Sequence, residues 1–96
     1  MYIMAAGGKQ IINSEFVERF CLSEKEDAVL IVASYSDTRP PVTMARYKNM
    51  DESRDALGKL MGALAGGQAY FDMPESILYY EEHVRKDARV KRRGGS

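Results

Sequence analysis

The side chains with the clearest capacity for chemistry lie toward the C-terminus. Residues 85–96 hold six basic residues, Arg85, Lys86, Arg89, Lys91, Arg92 and Arg93, against one acidic residue. Aromatic residues precede them at Tyr70, Phe71, Tyr79 and Tyr80. Aromatic rings stack on nucleic-acid bases, while Lys and Arg contact phosphates. This combination predicts nucleic-acid or phosphate binding through the six basic residues and Tyr79.

A simpler interpretation of the same segment stays open. Phe71 and Tyr80 would then belong to the hydrophobic core, and the basic residues would only keep the domain in solution. The chain lacks the sequence pattern of RNA-recognition domains and has no helix-turn-helix or zinc-finger pattern. Binding to nucleic acid would therefore be mainly electrostatic and would weaken steeply with salt.

Side chains suited to catalysis are few. His83 is the only histidine, and no serine or cysteine stands at a spacing that indicates a nucleophile with its base. Cys21 lies among apolar residues, which predicts a small buried hydrophobe. An enzyme that uses His83 with Glu81, Glu82 or Tyr79 is the weakest of the functions considered. We predict a non-enzymatic protein with no catalytic residue, no metal site and no cofactor.

Three glycines recur at every fourth residue: Gly58, Gly62 and Gly66. A glycine inside a helix costs about 1 kcal/mol relative to alanine. One interpretation is close approach by another backbone, from the C-terminal helix or from a second subunit, and the other is ordinary packing of a helix that tolerates glycines. The Gly7-Gly8-Lys9 and Gly66-Gly67 segments lack the pattern of a phosphate-binding loop and predict turns.

Length and charge define the wider organisation. Ninety-six residues, 45% of them hydrophobic, predict one folded domain. Thirteen acidic and eight basic residues precede position 85, whereas residues 85–96 carry a balance of +5. We expect a domain over residues 1–88 and a mobile basic tail over 89–96, which meets a charged partner or folds back on an acidic face.

A single cysteine and the absence of a long apolar run or secretory pattern predict a cytoplasmic protein without a membrane segment.

The first half of the chain is predicted to form strands. Tyr2–Ala5 and Gln10–Asn13 flank the Gly7-Gly8 turn and predict a hairpin. Glu15–Ser23 predicts a strand with one apolar face formed by Phe16, Phe20 and Leu22, and with Val17 and Cys21 on the other face. Ala28–Tyr35 predicts a central strand, and the alternating segment Pro41–Tyr47 predicts its hairpin partner, with Val42 and Met44 on one face.

Helical periodicity begins after residue 48. Asn49 or Asp51 is suited to cap a helix that ends at Gly66-Gly67. Its apolar stripe is predicted to contain Leu57, Leu60, Met61 and Leu64. A second helix is predicted over Glu75–Ala88, after a segment that favours extended structure at 68–71.

These elements predict an α+β fold in which an antiparallel sheet of about four strands is followed by one packed amphipathic helix, a second C-terminal helix and the basic tail. The predicted core joins the stripe of the first helix to residues of the strands, namely Phe16, Phe20, Val29, Ile31 and Met44.

The order of short strands, the helix that ends in Gly66-Gly67, the segment Phe71-Asp72-Met73-Pro74 and the Lys/Arg-rich end resemble small uncharacterised proteins of phages and mobile elements in Gram-positive bacteria. Such proteins often act by binding a host or rival component. The resemblance implies a second possible function, an oligomeric inhibitor that binds a host or defence protein or sequesters a nucleotide signal. The glycine face would then form the subunit contact of a homodimer or small homo-oligomer.

Overall fold

The computed structural model describes residues 1–76. Its elements are β1 (Tyr2–Met4), β2 (Ile11–Asn13), a 3-10 turn (Ser14–Phe16), β3 (Val17–Glu24), β4 (Val29–Tyr35), β5 (Val42–Tyr47), α1 (Met50–Ala65) and β6 (Tyr70–Asp72). The fold class is α+β, as predicted. The strands of this part of the chain form two three-stranded sheets, however, where one sheet of about four strands was predicted. Almost all of the second predicted helix and the whole basic tail lie outside the described residues.

The first sheet, with strand order β2-β1-β6, joins the two ends of the described chain. β1 pairs antiparallel with β2, and Gly7 and Gly8 close this hairpin with φ angles of 88° and 70°. The predicted hairpin is therefore confirmed. β6 pairs with the other side of β1 in parallel, because α1 and its connections return the chain to the same end of the sheet.

The second sheet has the order β3-β4-β5 and is antiparallel throughout. The pairing of β5 with β4 shifts by one residue at Met44. This bulge turns two consecutive side chains, Met44 and Ala45, into the core, whereas a regular strand would expose one of them. The predicted division of β5 into two alternating faces is therefore wrong. The bulged residue also joins the sheets, since its carbonyl accepts a 2.8 Å hydrogen bond from the N–H of Ala6.

A second irregularity corrects the predicted faces of β3. The register shifts between Val17 and Arg19, and Val17 packs against the core together with Phe20. Phe16 belongs to the preceding 3-10 turn and is 55% exposed, so its predicted place in the core is wrong. Cys21 is exposed on the opposite face of β3, contrary to the prediction that it is buried.

Helix α1 begins where the sequence indicates. The side chain of Asn49 accepts a 2.8 Å hydrogen bond from the N–H of Glu52, which caps the first turn. The buried face of the helix overlaps the predicted stripe only in part: its buried residues are Ser53, Ala56, Leu60 and Ala63, and Leu57 packs against the core. Met61 is 71% exposed and Leu64 is 40% exposed. The inner face is therefore turned toward the small residues Ser53, Ala56 and Ala63, and two of the four predicted stripe residues face solvent.

One core combines both sheets and the helix. Its members include Ile3 and Ile12 from the first sheet, Ile31 and Tyr47 from the second, and Leu60 from α1. Val29, Ile31 and Met44 are buried as predicted. Within residues 1–76, no helix has both the length and the apolar character that crossing a bilayer requires.

Candidate functional site

The outer face of the first sheet carries six side chains in two rows. The strand register aligns Asn13, Tyr2 and Tyr70 in one row and Ile11, Met4 and Asp72 in the next. The intervening residues, Ile3, Ile12 and Phe71, point inward to the core. Because strands lie about 4.8 Å apart, the side chains within a row are direct neighbours. We call these six residues the outer face of the first sheet.

Large side chains on this outer face are exposed. Tyr2 is 60% exposed, Tyr70 is 70% exposed and Ile11 is 60% exposed. Tyr2 and Tyr70 occupy matching positions on β1 and β6, so two aromatic rings stand side by side toward solvent. Contiguous exposed apolar surface of this kind marks a binding site more often than a lone exposed side chain does.

Two corners of the outer face are polar. The side-chain oxygen of Asn13 accepts a 3.0 Å hydrogen bond from the N–H of Glu15, which leaves its amide N–H groups as donors. At the diagonal corner, Asp72 is exposed and makes no hydrogen bond or ion pair with the described residues. The outer face therefore combines two aromatic rings with a donor at one corner and an acceptor at the other.

The edge of this sheet at β6 is open in the described part of the chain. The N–H of Tyr2 donates to the carbonyl of Ala69 at 3.0 Å, and the N–H of Met73 donates to that of Met4 at 3.0 Å. Because backbone groups alternate along a strand, those of Tyr70 and Asp72 point away from β1. An open hollow of about 490 Å³, lined by residues 68–72, borders this edge.

The sequence prediction identified this face only in part. Phe71 packs against the core, which agrees with the simpler interpretation given for it, whereas Tyr70 faces solvent. Tyr2 was missed because its pairing with Tyr70 joins residues 68 positions apart in sequence. The predicted phosphate-binding residues lie outside the described residues: Tyr79, Arg85, Lys86, Arg89, Lys91, Arg92 and Arg93.

The glycines of α1 face away from the sheets. Apart from the adjoining residues and the helix's own backbone, no atom of the described residues lies within 4 Å of a Cβ built on Gly58 or Gly62. At Gly66 the nearest such atom is the carbonyl oxygen of Gly62, at 3.2 Å. The glycine positions are thus an open surface in the described chain, bordered by the exposed side chain of Met61.

A second pair of aromatic residues, the exposed Phe16 and the half-buried Tyr35, lies near the end of β4. The guanidinium of Arg39 lies 4.0 Å from the ring centroid of Tyr35 and 5.7 Å from that of Phe16. Arg39 also pairs with the carboxylate of Asp37 at 2.9 Å, and the hydrogen bonds from Arg39 hold the pKa of Asp37 below its usual value. Because Asp37 neutralises Arg39, this group is poorly suited to bind phosphate.

The buried hydroxyl of Tyr47 has a structural role. Tyr47 donates a 2.6 Å hydrogen bond to the carbonyl of Pro74. Burial raises the pKa of Tyr47, and the carboxylates of Glu52 and Asp55 raise it further, so this hydroxyl stays protonated.

Among residues 1–76, no group of three or more His, Cys, Asp or Glu side chains is placed to hold a metal ion.

Comparison of the chain with protein-family models, with curated proteins and with solved structures gave no match.

Proposed function

We propose that this chain is a non-enzymatic module that binds single-stranded nucleic acid. In this proposal Tyr2 and Tyr70 stack on successive bases, and the basic residues between Arg85 and Arg93 contact phosphates. The observation that carries the proposal is the exposed pair of aromatic rings on adjacent strands. Stacking of this kind tolerates any sequence, since every base has a π-face.

Single strands suit this surface better than a duplex. The outer face has three strands, and the rings of Tyr2 and Tyr70 lie on its surface, where unstacked bases can reach them. In a duplex, the faces of the bases are covered by their neighbours in the stack, which leaves only the groove edges and the backbone for contact. Two neighbouring rings therefore offer most to a strand whose bases are free.

The charge distribution along the sequence supports phosphate contact by the C-terminal segment. Residues 1–76 contain 11 acidic and eight basic residues, so this part of the chain does not attract a polyanion. The basic cluster starts 13 residues after Asp72, on the same chain that forms the edge strand of the stacking surface. The exposed, unpaired thiol of Cys21 favours a reducing compartment, and we propose a cytoplasmic location.

The test measures binding of a fluorescent single-stranded oligonucleotide by anisotropy. Tyr70→Ala and Tyr2→Ala are each expected to weaken affinity about 5- to 100-fold, because each removes one stacking contact. Tyr70→Phe, which keeps the ring, is expected to bind nearly as well as the natural chain. Phe16→Ala is the matched control, since it removes another exposed ring that lies outside the outer face.

Two outcomes contradict the proposal. One is a natural chain that shows no salt-sensitive binding to single strands. The other is an equal loss of affinity in the tyrosine variants and in Phe16→Ala, which would indicate that exposed rings act without regard to position.

The open helix surface favours a second candidate function, that of an oligomeric inhibitor. Met61 is exposed beside Gly58 and Gly62, and Leu64 is exposed one turn beyond Met61, an arrangement suited to contact with a second copy of α1. The oligomer would bind a host or defence protein or sequester a nucleotide signal. A mass of one chain in light scattering, unchanged with protein concentration, would contradict this candidate.

A further inference from the structure

Asp72 lies beside the position where a base would stack. It is two residues from Tyr70 on β6, so both side chains point to the same face, about 6.6 Å apart along the strand. Its exposed carboxylate has no partner among the described residues. A base stacked on the ring of Tyr70 would present its hydrogen-bonding edge within reach of this carboxylate.

We propose, on the basis of the proposed function, that Asp72 makes the outer face prefer bases with an exocyclic amino group over thymine and uracil. An ionised carboxylate accepts hydrogen bonds and donates none. Cytosine and adenine offer amino donors at N4 and N6, and guanine offers one at N2. Thymine and uracil offer only the ring N3–H, which lies between two carbonyl oxygens that a carboxylate repels.

The opposite corner of the face does not produce this preference. The side-chain oxygen of Asn13 accepts the N–H of Glu15, so its amide N–H groups remain as donors for a ligand. Cytosine and thymine both carry an O2 carbonyl that accepts such a bond. Asn13 therefore helps to hold a base near Tyr2, whereas discrimination between these two pyrimidines depends on Asp72.

The experiment compares oligo(dC) with oligo(dT) of equal length, by anisotropy, at a slightly alkaline pH at which cytosine is unprotonated. The natural chain is expected to bind oligo(dC) about three- to tenfold more tightly, which is the net contribution of one hydrogen bond at a solvent-exposed site. Asp72→Asn keeps the size of the side chain but can both donate and accept, so the ratio of the two affinities is expected to fall to about one. Asp51→Asn, on the exposed side of α1, is the control because it removes a negative charge away from the outer face and leaves the ratio unchanged.

The outcomes separate this inference from the proposed function. If Tyr70→Ala weakens binding but the natural chain shows no preference, or if Asp72→Asn keeps the preference, the role of Asp72 is overturned and base stacking stands. If Tyr70→Ala leaves the affinity for both oligonucleotides unchanged, stacking is overturned and the role of Asp72 with it. Because Asp72 is exposed, its variant is expected to unfold at the same temperature as the natural chain, which circular dichroism checks.

Discussion

The hydroxyl of Tyr47 is placed at the end of β5, where it connects the core to the segment that follows β6. The side chain is 1% exposed, and its hydrogen bond to the carbonyl of Pro74 spans 27 positions of the sequence. Met73, directly before Pro74, is buried as well. This contact fixes the point at which the chain leaves the first sheet toward its basic residues.

Replacing Tyr47 with Phe is therefore expected to lower the free energy of unfolding by about 1 to 2 kcal/mol, because the ring remains while the carbonyl of Pro74 loses its donor. Urea denaturation near neutral pH measures this difference.

The effect of Tyr47→Phe on stability also depends on pH. The pKa of Tyr47 is raised in the folded chain, so its contribution is complete below about pH 10, the pKa of an unfolded tyrosine, and declines at higher pH. Tyr47→Phe is expected to lose less stability than the natural chain between neutral pH and about pH 11, and an identical alkaline loss would contradict this assignment.

At the scale of elements, the two glycines inside α1 lie on an open side of the helix. Gly58 and Gly62 have helical backbone conformations without positive φ and face open space in the described chain. Nothing among residues 1–76 requires the absence of a side chain at either position. A methyl group at either position would therefore recover the helix stability that is lost to glycine.

Gly62→Ala is accordingly expected to raise the free energy of unfolding by about 0.5 to 1 kcal/mol. Gly67→Ala is the matched control, since Gly67 has a φ of +68° and a side chain there is strained. It is expected to destabilise the fold instead. Thermal unfolding of both variants gives the comparison, and destabilisation by Gly62→Ala would show that another backbone packs closely against this position.

Elements set by local sequence were predicted well. The Gly7-Gly8 hairpin, the β-branched run of β4 and the cap at Asn49 each depend on neighbouring residues, and each is confirmed. What the sequence did not reveal depends on distant contacts. The bulge at Met44 reverses the faces of β5, and the pairing of β6 with β1 creates the tyrosine pair. The inner face of α1 was predicted only at Leu57 and Leu60, because its other residues are small, although their spacing of three and four positions is helical.

At the scale of the whole molecule, the proposed function assigns base stacking and phosphate contact to separate parts of the chain. The tyrosine pair lies on a body with more acidic than basic residues, while the basic cluster follows it in sequence. Residues 1–76, with their excess of acidic residues, repel nucleic acid unless the basic residues of the cluster compensate for this negative charge. The two parts should therefore contribute differently to binding, with stacking insensitive to salt and the cluster responsible for the salt dependence.

This separation predicts the effect of replacing all six basic residues of the cluster with Gln: Arg85, Lys86, Arg89, Lys91, Arg92 and Arg93. For single strands, each lost phosphate contact reduces the slope of log affinity against log salt by about 0.7, so the slope is expected to fall by up to about 4. Anisotropy titrations over a range of salt concentrations measure it. Lys25→Gln, in the acidic turn between β3 and β4, is the control and is expected to leave the slope unchanged. If Tyr70 stacks on a base as proposed, Tyr70→Ala should weaken binding by the same factor at every salt concentration, because stacking does not depend on charge. A factor that changes with salt would mean that the ring and the cluster act as one site.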